Sequence, residues 1–188
     1  ATQFVSATAG NWSAPATWNA ATYPQAATDT VTINHSVTLD LSPAGAIASV
    51  TIGAPGTLTC TGAWSLQVNG DWTNNGTDSL VAGTVAFVGS SSAQIGGSDP
   101  TAFRTLHIAK TAYATVTMNQ AVSATASPTS LYIDRGRLLT NGNNLTVQYA
   151  AYSTANSLVG TLDITGASVV YIGSIRQDFV GIDSLKIG

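Results

Sequence analysis

Leu66 and Val68 alternate with Ser65, Gln67 and Asn69, and Val85 and Phe87 alternate with Thr84 and Ala86. Each run has the period of two that marks a short strand with one buried side. Between them lie Asn69-Gly70-Asp71 and Asn74-Asn75-Gly76, residue types that tolerate positive φ and bond their own backbone, so the chain bends on both sides of Trp72. The unit then recurs in degraded form. Its apolar pairs are Val50/Ile52, Leu66/Val68, Val85/Phe87, Leu106/Ile108, Leu131/Ile133, Leu145/Val147, Leu162/Ile164 and Leu185/Ile187, with offsets from 14 residues (145 − 131) to 25 (131 − 106).

Short strands at such intervals predict stacked coils, each carrying one pair on the same side of an all-β right-handed parallel β-helix. Leu58/Cys60 and Val116/Met118 fall between these pairs and read as second faces of the same coils. The register from Tyr132 to Val147 stays open, with Leu138 and Leu145 as possible sharers of one coil with Leu131. Gln148 to Leu158 reads as an excursion between coils. A β-sandwich also strings short strands between Gly and Asn turns, but it does not require one recurring cassette. Trp12 and Trp18 stand in a turn-rich opening and predict an aromatic cap over the open end of the core. The expected organisation is one domain of 1–188, with a cap at 1–29 and coils over 30–188.

Composition fits strands and turns. All nine acidic residues are Asp, charged residues are 8% of the chain and hydrophobic ones 44%, a balance that favours β structure over helix and argues against disorder. A net charge of −3 with six scattered basic residues gives no footprint for phosphate backbones, so nucleic acid is not an expected partner. No apolar run reaches membrane-spanning length. The opening ATQFVSATAGNW lacks the basic start and apolar core of an export signal, so such a signal is expected upstream or already removed. Cys60, the single cysteine, is in phase with Leu58 and reads as a buried small hydrophobe.

The runs LQVNGDWTNNGTDSLVAGTVAFVGSSSAQIGG and FRTLHIAKTAYATVTMNQAVSATASPTSLYIDRGRLLTNGNNLTV resemble the β-helix repeats of secreted bacterial surface and polysaccharide-degrading proteins, over roughly Val50 to Val147. The opening GNWSAPATWN resembles the segment that precedes such repeats. Among isolated modules the chain is similar to a carbohydrate-binding module of the parallel β-helix type attached to xylanases. That resemblance implies a secreted protein, a xylan-like β-glycan as partner, and a glycoside hydrolase elsewhere in the parent chain.

The residues themselves favour binding over catalysis. Glycoside hydrolysis needs carboxylates at a fixed separation, whereas the Asp residues here are dispersed, and the NTD, DD, GHG and RIK signatures of pectin-hydrolysing β-helices are absent. Stacking would unite Asp134 and Asp163 only if both face outward in neighbouring coils. Arg135, Arg137 and Lys110 lack the dense acidic cluster that a calcium-dependent lyase would add, and His35 and His107 form no zinc pattern. No cofactor is expected.

A neutral glycan asks only for aromatic faces with hydroxyls, amides or carboxylates beside them. If Leu131 and Ile133 point inward, Tyr132 points out, and the same parity exposes Gln67, His107, Thr146, Asp163 and Lys186. Trp64 lies in a turn before its strand, where alternation does not force it inward, while Trp72 sits at a core position. Tyr149 and Tyr152 fall in the 148–158 excursion, a loop expected over one face. The candidate ligand-binding set is therefore Trp64, Gln67, His107, Tyr132, Tyr149, Tyr152 and Asp163. Two further readings stay open: a structural stalk or adhesin segment, and a polysaccharide lyase or hydrolase. The expected state is a monomer.

Overall fold

The computed structural model describes residues 1–111, 113–127, 130–152, 160–164, 170–175 and 182–186, and for 150–152, 173–175 and 182–186 the path of the strands alone. It is a parallel β-solenoid in which strands are the regular structure, apart from a 3-10 turn at Pro15–Thr17. The first coil holds β1 (Gln3–Val5) and β2 (Gly10–Asn11), and the second β3 (Thr30–Ile33) and β4 (Ser36–Leu39). Three strands per coil follow: β5 (Ser49–Ile52), β6 (Thr57–Cys60) and β7 (Ser65–Val68); then β8 (Trp72–Asn74), β9 (Thr77–Ser79) and β10 (Thr84–Gly89). Next come β11 (Ala93–Gly96), β12 (Thr101–Phe103) and β13 (Thr105–Lys110), then β14 (Thr115–Met118) and β15 (Val122–Ala124). Two long strands, β16 (Leu131–Leu139) and β17 (Leu145–Tyr152), each run on from one face to another, before β18 (Gly160–Asp163), β19 (Val170–Ile175) and β20 (Ile182–Lys186).

Pairing sorts these strands onto three faces. Face one stacks β1, β3, β5, β8, β11, β14, the second half of β16, β18 and β20. Face two stacks β2, β4, β6 and β9, then β12, β15 and the starts of β17 and β19; no ladder pairing joins β9 to β12. Face three stacks β7, β10, β13, the first half of β16 and the end of β17. Every pairing between these strands is parallel, and inward side chains therefore stack on inward side chains.

The core is the set of apolar columns this produces. On face three, Leu66/Val68 lies under Val85/Phe87, Leu106/Ile108 and Leu131/Ile133 in register, as the cassette predicts, and all eight are buried. The remaining pairs belong elsewhere. Val50/Ile52 pairs with Trp72/Asn74 and not with Leu66/Val68, Leu145/Val147 stands on face two below Val122/Ala124, and Leu162 continues from Leu138 on face one. Leu131, Leu138 and Leu145 do follow one another along the same stretch of solenoid, on three successive faces. Compared on one face, the spacing along the middle of face one is 22 residues from Val50 to Trp72 (72 − 50), 23 from Trp72 to Ile95 (95 − 72) and 22 from Val116 to Leu138 (138 − 116), whereas 27 separate Phe4 from Val31 (31 − 4) and 19 separate Val31 from Val50 (50 − 31). Face three is less even, at 19, 21 and 25 residues between Leu66, Val85, Leu106 and Leu131.

Residues 1–29 supply an aromatic cluster and also the first strands, since β1 and β2 pair in parallel with β3 and β4. Trp12 and Trp18 are buried edge to face at 5.2 Å, with Phe4 against Trp18 at 6.1 Å. Both indole N–H groups are satisfied, Trp12 donating to the Pro24 carbonyl and Trp18 to that of Trp12, which removes the cost of burying them.

The corner inside β16 depends on Gly136, whose φ is +85°. A β-carbon there would lie 2.6 Å from the Lys110 β-carbon and 2.8 Å from the Ala114 carbonyl oxygen. Gly142 has a similar φ of +80° but nothing within 4 Å. Gly136→Ala is expected to lose about 2–4 kcal/mol through strain plus collision, and Gly142→Ala about 1 kcal/mol through strain alone. Urea unfolding midpoints of the two variants check this, and equal losses would contradict the steric account.

Candidate functional site

Face three brings together three of the predicted residues in one transverse row. Gln67 pairs with Ala86, Ala86 with His107, and His107 with Tyr132, so their side chains leave the same side of the sheet on successive strands. Each alternates with a buried apolar neighbour, which is why the local sequence turns it outward. Gln67 is exposed, while His107 and Tyr132 are half-buried. The His107 and Tyr132 rings are 5.0 Å apart and cross at 73°, an edge-to-face contact, so they do not form two coplanar platforms.

Trp64 precedes β7 at the margin of this face and is 38% exposed. Its indole edge lies over Gly62, where a β-carbon would collide with the indole nitrogen, and its carbonyl accepts the Thr84 N–H. With strands about 4.8 Å apart and residues rising about 3.3 Å, Trp64 stands roughly 17 Å from Tyr132 along the sheet.

A β-bulge adds a residue that the sequence reading paired wrongly. Between Ile108/Ala109 and Ile133/Arg135 the register shifts, leaving Asp134 as the extra residue, and its carboxylate meets His107 Nε2 at 2.7 Å. The bond orients the imidazole beside Tyr132. Asp134 Oδ1 is buried with no partner. Asp134 and Asp163 are not neighbours: one is on face three, the other on face one.

Asp163 itself is a correction. It was expected outward beside Tyr132, but it is 1% exposed, opposite Leu139 across the β16–β18 pairing, with the Arg137 guanidinium on its carboxylate. The buried carboxylate is held by Arg137, whose own side chain stays partly exposed, and is not offered to a ligand. Thr146 is likewise on face two and not in the Gln67 row, because β17 begins there and reaches face three only at Ala150. Tyr149 and Tyr152 lie in β17 and not in a loop; the part of the excursion at 153–159 is outside the described residues. Tyr149 is half-buried at the corner, where the Ser130 hydroxyl accepts its N–H and donates to its carbonyl, both at 2.8 Å. Tyr152 is in register with Ile133.

Two further ionisable groups sit at the margins of these faces. On face two, burial pushes the Asp78 carboxyl up to about 6, against the opposing effect of the Ala102 N–H that it accepts at 2.9 Å. Lys110 ends β13 in phase with Leu106 and Ile108 and is fully buried. Its ammonium donates to the carbonyls of Asn69 and Val88 at 2.5 and 2.8 Å, in the two preceding coils. Alternation with Leu106 and Ile108 places Lys110 inward, a signal that the sequence reading left unused because a lysine is an unusual core occupant. Burial of the Cys60 thiol raises its pKa, in keeping with a packed and unreactive sulfur. Among the described residues no group of three or more His, Cys, Asp or Glu side chains could hold a metal ion.

Compared with models of protein families, with characterised proteins and with solved structures, the chain matches none. The fold class therefore stands on the structure itself. The likeness to a xylanase-associated module stands on the cassette residues alone.

Burial lowers the Lys110 pKa from 10.5 to about 8, with the nearby Asp71 charge opposing the shift. A lysine with a depressed folded pKa binds fewer protons folded than unfolded between pH 8 and 10.5, so stability rises with pH across that window. The gain should be of order 1–3 kcal/mol and should vanish in Lys110→Met. Urea titrations of both proteins at pH 7.5 and 10 test it; the same rise in the variant would assign the effect to another group.

Proposed function

We propose that this chain is a non-catalytic carbohydrate-binding module, secreted and attached to a glycoside hydrolase in its parent protein, that recognises a neutral plant cell-wall polysaccharide such as xylan. The observation supporting this reading is the outward row Gln67–Ala86–His107–Tyr132 on face three, in which Gln67 is exposed, His107 and Tyr132 are half-buried and Ala86 is buried, with exposed Trp64 at its margin. An amide, an imidazole fixed by Asp134 and a phenol supply hydrogen bonds for sugar hydroxyls, while two separated aromatic groups serve different residues of one extended chain. The flat parallel sheet holds these groups at fixed intervals without ordering a loop, which limits the entropy lost on binding.

A spacer that carries other domains is the second reading. It is favoured by the nine described strands stacked in parallel along face one, since such stacking makes a stiff rod whether or not a ligand binds.

Affinity electrophoresis in gels containing xylan, mixed-linkage glucan, mannan or pectin separates the two. Retardation by one or two neutral glycans is expected, with roughly tenfold or greater loss of affinity in Trp64→Ala and in Tyr132→Ala. Retardation by none, from a chain with a folded β-rich spectrum, selects the spacer. Undiminished binding by the double variant would remove face three as the site.

A further inference from the structure

Face two carries a second row of outward groups that the face-three site does not use. Ala102 pairs with Ser123, Ser123 with Thr146, and Thr146 with Tyr171, so the four lie side by side on successive strands. Over this row the surface sinks into a depression of about 130 Å³, walled by Pro100 and Thr101 and by Asn144. At about 30 Å³ per water it has room for roughly four water molecules, the scale of a single sugar ring.

The lining chemistry narrows the occupant. Hydroxyls and an amide alternate with the methyl groups of Ala102 and Ala121, and no charged side chain contributes to the wall. Thr101 is held by Gln120, whose Nε2 donates to the Thr101 hydroxyl at 2.6 Å, and the Gln120 Oε1 is buried without a partner. Thr101 is in phase with Phe103 and 1% exposed, so the hydroxyls offered to a ligand are those of Ser123 and Thr146. Beside the depression stands Tyr171, one strand beyond Thr146 and 62% exposed, a large aromatic left outside the core on an otherwise polar face. At the opposite end the Asp78 carboxylate accepts the Ala102 N–H, where β9 and β12 fail to pair. Phosphate and anionic glycans find no cation among these residues. A neutral pyranose, polar at its rim and apolar on its faces, finds both kinds of surface.

We propose that face two holds a second glycan subsite, in which one ring of a neutral polysaccharide occupies the depression over Ala102, Ser123 and Thr146 with the Tyr171 ring beside it. The inference rests on the carbohydrate-binding reading above but uses none of its residues. Two sites on different faces of one rigid prism let the chain engage two polysaccharide strands, or two parts of one, with an affinity for insoluble material above that of either site.

Amide chemical-shift titration with xylohexaose, cellohexaose and mannohexaose tests it. At least one hexasaccharide is expected to move the Ser123 and Thr146 amides. Tyr171→Ala, and independently Thr146→Arg, should weaken that response tenfold or more while leaving any response at Gln67, His107 and Tyr132 in place. Shifts confined to face three, or face-two shifts unaffected by both variants, overturn the second subsite and leave the carbohydrate-binding reading standing. Absence of any response to all three sugars overturns both.

Discussion

Parallel stacking in register is the constraint on which everything else in this molecule depends. A single coil of about 22 residues cannot bury its apolar side chains against itself, because its strands are too short and point away from one another around the turn. Only a neighbour in the same phase closes the backbone ladder and completes the van der Waals columns. Each inward position is therefore tied to the one above and below it, and each outward position inherits a fixed neighbour on either side. The rows Gln67–Ala86–His107–Tyr132 and Ala102–Ser123–Thr146–Tyr171 are by-products of that rule.

Where the rule is relaxed, polar groups fill the gap. The bulge in β16 releases Asp134, which finds His107; the missing pairing between β9 and β12 leaves the Ala102 N–H to the Asp78 carboxylate; the corner of face three leaves two carbonyls to Lys110. In the last two cases a side chain bonds a backbone group at the edge of a face.

The alternation of apolar residues revealed strands, their buried sides and the parallel columns of face three, because those depend only on a period of two and on one cassette repeated at similar length. It did not reveal how the other strands distribute over three faces. Leu145 and Leu162 look alike in the sequence, yet one stands on face two and the other on face one, because turn residues such as Gly136 and Gly142 mark corners without saying which face follows. That ambiguity sent Asp163 outward in expectation, although its parity had been read correctly. Gln67, His107 and Tyr132 were legible because each follows the first apolar residue of its strand and those residues stack in register. The Asp134 contact was not legible, because a bulge has no hydrophobic signature, and neither was Tyr171, whose row is defined only by long-range pairing.

The buried ammonium of Lys110 reaches Val88 one coil back and Asn69 two coils back. In a solenoid whose rungs touch only their immediate neighbours, melting is a one-dimensional process that starts at an end and advances one rung at a time. A bond that skips a rung couples three of them into a single cooperative block. Fraying that reaches the Lys110 rung has to break bonds to two other rungs at once.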